Sequence, residues 1–179
     1  MTEVQIRTLV ATDLPRLMGT DHSCSSDYVW QLDLHREAGQ VSAVFREVRL
    51  PRSIRVEYPR NPFALADKWD RQAEMLVAVW RGQPIGYIRM MEQSTSDVVW
   101  ITDLVVAPEA RRRGVATALL QAAQDWSLAR GNQRLILEVQ SKNEAAIRLA
   151  QKIGYEFCGY NDQYYETQDV TLFFGRVLK

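Results

Sequence analysis

One stretch constrains this chain more than any other: Leu104-Val-Val-Ala-Pro-Glu-Ala-Arg-Arg-Arg-Gly-Val-Ala-Thr-Ala-Leu-Leu120. An apolar run from Val98 to Val106 reads as a strand that ends at Pro108. After Gly114 the apolar residues fall at Val115, Leu119, Ala122, Ala123 and Trp126, a helical spacing. A basic loop therefore joins a strand to a helix N-terminus. The first backbone N–H groups of that helix lack intrahelical partners, and the helix dipole adds partial positive charge, so the turn is suited to an anion, a phosphate above all. Gly114 permits close backbone approach, and the small Ala116 leaves the way open. A nucleotide-triphosphatase loop is excluded, because Gly-Lys-Ser/Thr after a longer glycine-rich turn is missing; a dinucleotide fingerprint is excluded because only one glycine is present. The alternative is a charged loop that only caps its helix.

A second block follows at a distance. The strand Arg134-Leu-Ile-Leu-Glu-Val-Gln140 precedes Asn143-Glu-Ala-Ala-Ile-Arg-Leu-Ala-Gln-Lys-Ile-Gly154-Tyr155, a helix with Ala146, Ile147, Ala150 and Ile153 on one side and Gly154 as a left-handed C-cap. Arg111-x-x-Gly114-x-Ala116 resembles the pyrophosphate loop of the GNAT superfamily of acetyl-CoA-dependent N-acetyltransferases. The second block is similar to that superfamily's Asn-x-x-Ala-x-x-Leu-Tyr-x-Lys-x-Gly-Phe. The resemblance implies an α/β (α+β) fold: a mixed, mostly antiparallel central sheet with helices on both faces and splayed central strands holding the cofactor.

The 179 residues fit one domain, placed over residues 1–179, with no internal repeat or linker. Lys+Arg and Asp+Glu are equal at 22 each, so no global field draws nucleic acid or an anionic membrane. No apolar run is long enough to span a bilayer and no signal-peptide pattern opens the chain, which makes the cytoplasm the expected location. Cys24, Cys158, His22 and His35 supply no metal-ligand spacing, and both cysteines read as reduced thiols.

Taken in order, Val4 to Val10 reads as a strand, and Thr12-Asp-Leu-Pro15 opens a helix through Met18. Asp21 to Arg36 is expected to be loop and short helix near the acceptor. Val41 to Val48 and Ile54 to Tyr58 read as two strands separated by Leu50-Pro-Arg52, after which Pro59-Arg-Asn-Pro62 breaks the chain before a short helix from Phe63 to Arg71. Glu74 to Trp80 and Pro84 to Met91 form a hairpin around Arg81-Gly-Gln83, and Glu156 to Tyr160 and Asp169 to Val177 close the sheet.

Acyl transfer from a thioester to an amine needs a placed thioester, a neutral amine and a stabilised oxyanion. The resemblance assigns the pantetheine of acetyl-CoA to the backbone of Leu104, Val105 and Val106, and the diphosphate to Arg111, Arg112, Arg113, Gly114, Val115, Ala116 and Thr117. An N–H at or beside Val106 is then the oxyanion donor. The three arginines add charge for phosphate or face solvent. Asn143 either bonds the pantetheine arm or serves as a helix N-cap. Glu138, in Leu137-Glu-Val139 as in relatives that acetylate ribosomal-protein N-termini, is the first candidate for the base, with a structural role as its alternative. Asp103 is second. Ala150 stands where the superfamily commonly has the tyrosine that protonates the leaving thiolate, so Tyr164, Tyr165 or water takes that part.

Beyond the cofactor half, the aromatic N-terminal segment and Asp169-Val-Thr-Leu-Phe-Phe174 loosely resemble streptothricin acetyltransferases. The expected acceptor is a small-molecule primary amine, with Asp21, Asp27, Asp33, Glu92, Asp162 and Glu166 as an acidic cleft. The alternatives are protein N-terminal or lysine acetylation, or a non-catalytic CoA-binding sensor. The resemblance implies a monomer or a homodimer, the latter through the Leu172-Phe-Phe174 run, which core burial explains equally well.

Overall fold

The computed structural model describes residues 4–67, 73–93 and 96–179. Seven strands form one sheet in the order β1-β4-β5-β6-β7-β9-β8: β1 (Gln5–Thr8), β4 (Ala73–Trp80), β5 (Gln83–Glu92), β6 (Val98–Val106), β7 (Arg134–Gln140), β9 (Thr171–Val177) and β8 (Glu156–Asn161). Every pairing is antiparallel except β6 with β7. Arg81 at φ 50 and Gly82 at φ 75 make the two-residue turn between β4 and β5, both central residues left-handed as such a hairpin requires.

Helices cover both faces. On one, α3 (Val115–Ala129) and α4 (Glu144–Lys152) bury Leu119, Leu120, Ala123, Ile147 and Ala150 against Ile88, Ile101, Leu135 and Leu137 of the sheet. On the other, α1 (Leu14–Met18) and α2 (Ala64–Asp67) place Leu14, Leu17 and Leu65 against Val77, Tyr87 and Val105. Gly154, at φ 84, follows α4 as its left-handed cap.

Two expectations are corrected. Asp21 to Arg36 is not loop and short helix: β2 (Cys24–Glu37) is a strand paired along its length with β3 (Gln40–Val56) in a separate two-stranded sheet. Nor do Val41 to Val48 and Ile54 to Tyr58 form two strands. They lie mostly in β3, whose register shifts between Ser26–Ile54 and Tyr28–Arg49, so that Leu50 to Ser53 bulge opposite Asp27; Tyr58 lies beyond its end. Pro51 sits in that bulge, where its missing N–H costs no ladder bond. The helix expected from Phe63 to Arg71 is described only as α2, and residues 68–71 lie outside the described residues. The Leu172-Phe-Phe174 run belongs to β9, flanked by β7 and β8, with Leu172 and Phe174 fully buried, so core packing accounts for it.

Candidate active site

The parallel pairing of β6 with β7 runs only from Val98–Arg134 to Ile101–Leu137. Beyond it the strands part, and the cause is local. Thr102 has no partner on β5, because the register shifts between Arg89–Asp103 and Met90–Ile101, which makes Thr102 a β-bulge at the point of the fork. The bulge also reverses side-chain alternation. Val99 and Ile101 face the α3–α4 core before it, Leu104 and Val106 lean on that core after it, and Val105 packs with Tyr87 on the opposite face. Asp103 thereby shares a face with Glu138 of β7, whose neighbours Leu137 and Val139 point into the α3–α4 core.

The backbone of β6 past the bulge has one free edge. Ala107 N–H donates to Ile85 O at 2.8 Å, so by alternation Val105 and Asp103 pair with β5, while the amide groups of Leu104 and Val106 face the fork. Val105 is thus turned away from it. At the end of β6, Arg112 at φ 63 and Gly114 at φ 82 curl the loop. Among the described residues no side chain caps the N-terminus of α3, and a Cβ on Gly114 would meet nothing within 4 Å. These free donors and this open approach fit the pantetheine arm and diphosphate of acetyl-CoA. Arg111 is committed elsewhere: its Nε donates to Val106 O at 2.9 Å and Nη2 to Asp21 O at 3.0 Å. Arg112 and Arg113 are exposed, Val115 is buried, and Ala116 and Thr117 lie in the open first turn of α3. Asn143 caps α4, its Oδ1 accepting from Ala146 N–H at 3.1 Å.

Two carboxylates on strands that are otherwise apolar must find cations or hydrogen bonds when buried. Glu138 and Asp103, with side chains 1% and 3% exposed, share Arg60. Arg60 Nη2 donates to Glu138 Oε2 at 2.6 Å; Nη1 donates to Thr102 O at 2.7 Å and lies 3.4 Å from Asp103 Oδ1. The guanidinium carbon stands 5.0 Å from the Tyr165 ring centroid. Asp103 also accepts from the Tyr58 hydroxyl and, at 2.9 Å, from Thr102 Oγ1, with Arg89 Nη1 3.6 Å from its Oδ2. Among the described residues Glu138 has one further partner, the Tyr164 hydroxyl, which donates to Oε1 at 2.7 Å.

Burial raises the Glu138 carboxyl above the ordinary carboxylate range, opposed by the Tyr164 hydroxyl and Arg60. Burial likewise raises the phenols of Tyr58, Tyr87 and Tyr164, and pushes Tyr165 up to about 12. His22, 3.2 Å from Tyr87 OH through Nε2, is lowered by burial.

Of the residues singled out in the sequence, Glu138, Asp103, Tyr164 and Tyr165 meet at the fork. Tyr165 is buried beneath Arg60, whereas Tyr164 is 41% exposed and holds Glu138 directly. Ala150 is fully buried, so that helix face offers no hydroxyl. The six carboxylates of the expected acidic cleft do not come together: Asp33 pairs with Arg46 along the hairpin, and Glu92 lies at the opposite end of β5, paired with Arg130 at 3.7 Å. Sequence reading missed Tyr58, Arg60, Arg89 and Thr102. The available signal was the pair of acids inside apolar strands, which called for buried cations elsewhere in the chain.

Residues 42–155 match the model of the acetyltransferase (GNAT) family. The chain belongs to the GNAT family. It is an N-acetyltransferase, and acetyl-CoA is its acetyl donor. Among curated GNAT relatives, streptothricin acetyltransferase from Streptomyces lavendulae is 24% identical over 163 residues, covering 90% of this chain and 86% of that protein. Among solved structures, nourseothricin acetyltransferase superposes with a TM-score of 0.82 at 23% identity, covering 98% of this chain and 99% of the other. A candidate streptothricin acetyltransferase from Bacillus anthracis str. Ames, in complex with acetyl coenzyme A, superposes with a TM-score of 0.79 at 20% identity over 99% of each chain.

Proposed function

We propose that residues 1–179 act as one domain that acetylates a primary amine of a small molecule, of the kind represented by streptothricin-like antibiotics. The observation that carries this reading is the extent of the likeness: the Streptomyces relative matches over 163 residues, 90% of the chain, and so well beyond the cofactor half. A second feature supports it. The segment from Glu57 to Arg60 crosses the mouth of the fork, with Glu57 O accepting from Gln140 Nε2 at 3.2 Å and Arg60 reaching both strands. A strap across the mouth suits a compact acceptor better than an extended peptide.

In this reading acetyl-CoA supplies an activated acetyl group as a thioester. Leu104 and Val106 would hold the pantetheine through their amide groups, with the Val106 N–H donating to the acetyl oxygen, and the N-terminal turn of α3 would hold the diphosphate. Glu138 takes the amine's proton. Each of its oxygens has one partner and so keeps accepting capacity, and its raised pKa brings it nearer the working range of a base. Asp103, approached by Tyr58, Arg60, Thr102 and Arg89, has little accepting capacity left and serves as an anchor. Tyr164, hydrogen-bonded to Glu138, is the hydroxyl best placed to return a proton to the thiolate.

The test is CoA thiol release from acetyl-CoA against streptothricin-like antibiotics, aminoglycosides and polyamines in one set, and peptides with free N-termini or lysines in the other. Turnover confined to the first set is the expected result. Turnover confined to peptides would replace the reading with protein acetylation. CoA binding with no turnover in either set would replace it with a CoA sensor.

A further inference from the structure

A strand pair that parts at a bulge needs something to set how far it opens. Among the described residues, the side chain that reaches both walls of this fork is Arg60. It touches the bulge carbonyl of Thr102 and the Asp103 carboxylate on β6, and the Glu138 carboxylate on β7. The Thr102 carbonyl lies at the residue that the bulge leaves out of the β5–β6 register, and Arg60 satisfies it. The side chain is itself held from behind: it is 22% exposed and lies against the Tyr165 ring. Its backbone sits between Pro59 and Pro62, with Asn61 Oδ1 accepting from Phe63 N–H at 3.0 Å and starting the turn into α2. A planar guanidinium offers several N–H donors in fixed directions, so it spans groups that a point charge must serve one at a time.

We propose that Arg60 is a positioning residue that fixes the separation of β6 and β7 at the fork and holds the Glu138 carboxylate in its working orientation. The second half rests on the reading of Glu138 as the group that takes the amine's proton; the first half does not. The groups facing Glu138 are Arg60 from the segment after β3, Tyr164 and Tyr165 from the segment after β8, and Asp103 from β6. Arg60 is the cation among them. Removing it leaves Asp103 with Arg89, whose Nη1 lies 3.6 Å from Oδ2, but takes from the buried Glu138 carboxylate the cation beside it, and burial near a second carboxylate then favours protonation of Glu138.

Two variants separate span from charge. Arg60→Lys keeps the cation and loses the span; Arg60→Gln loses both. The readouts are CoA affinity by calorimetry and the titration of the Glu138 carboxyl by 13C chemical shift, assigned with Glu138→Gln. Both variants are expected to bind CoA at least tenfold more weakly. The Glu138 midpoint is expected to stay near that of the parent in Arg60→Lys and to rise by a pH unit or more in Arg60→Gln. Should Arg60→Gln fail to fold, Arg60→Lys still carries the test of the span. CoA affinity in Arg60→Lys equal to the parent's overturns the separation role, and an unmoved Glu138 midpoint in folded Arg60→Gln overturns the orientation role. Neither readout involves an acceptor. A protein that binds CoA but acetylates none of the amines tested sinks the proposed function and leaves the role of Arg60 to stand or fall on these two measurements.

Discussion

Gly86→Ala is the perturbation whose consequence can be worked furthest from the structure. Gly86 faces Val106 across the β5–β6 ladder, in a pair that exchanges no hydrogen bonds and so lies at the closer of the two strand spacings. A Cβ at this position falls 2.6 Å from Val105 O and 3.2 Å from Val106 Cα. Ordinary contact begins at 3.4 Å, so the strands must separate by about 0.8 Å, and because both obstacles are backbone no rotamer change relieves them. Overpacking of this kind costs ~1–3 kcal/mol. At the middle of that range, and a urea slope of ~2 kcal/mol per molar, the unfolding midpoint falls by ~1 M. The displaced strand is also one wall of the fork, and the Val106 N–H moves with it, so CoA affinity measured by calorimetry falls at least tenfold. Gly114→Ala provides the contrast. Its Cβ meets nothing, and only the left-handed φ of 82 is penalised, at ~1–2 kcal/mol. A Gly86→Ala midpoint within ~0.25 M of the parent, together with unchanged CoA affinity, would refute the reasoning, since it would mean that the wall yields freely.

Three further outcomes are expected. Glu138→Gln lowers turnover by ~100-fold or more and removes the acid limb of the kcat/KM profile. That limb lies above the ordinary carboxylate range, because burial raises Glu138 and the base works only when deprotonated, so activity climbs as pH rises through it; an unchanged profile removes Glu138 from the mechanism. Tyr164→Phe slows thiol release by ~10-fold or more and moves the same limb upward, since the hydroxyl lowers the Glu138 pKa. A limb that stays in place contradicts the hydrogen bond. Asp13→Asn breaks the paired contacts to Arg7 at 2.7 and 2.8 Å and destabilises the fold by ~1–2 kcal/mol at neutral pH. Arg7 holds the Asp13 pKa below its ordinary value, so that stabilisation is present above the usual carboxylate range and is lost as pH falls through the folded value. Thermal melts of parent and variant should therefore converge in acid, and a gap that stays constant down to pH ~2 would contradict the linkage.

The strands and helices around the fork were legible because each buries a periodic apolar face. The β6 and β7 boundaries, the α3 start after Gly114 and the Gly154 cap follow from patterns within a dozen residues. The β2–β3 hairpin was not legible for the opposite reason. A two-stranded ribbon packed on one side only in part buries Ser26 in one strand and Val56 in the other, and leaves Val41 and Val44 exposed, so its sequence shows no sustained alternation. At the site, Glu138 could be singled out because Leu137-Glu-Val139 resembles a motif of relatives, and Asp103 because it is a carboxylate on the cofactor strand. Arg60 could not, since its partners stand 43 and 78 positions further along the chain.

The bulge at Thr102 works as a change of reading frame within a single strand. Upstream of it, odd-numbered residues of β6 belong to the α3–α4 core; downstream, even-numbered residues do. Straightening the strand through Thr102 at unchanged length would leave the base of the sheet intact while turning Asp103 inward and Leu104 outward, exchanging the chemical half of the strand for its packing half. Deletion of Thr102 would instead make Ile101–Met90 and Asp103–Arg89 consecutive pairs, keeping each side chain on its face and losing only the bulge at which the strands part.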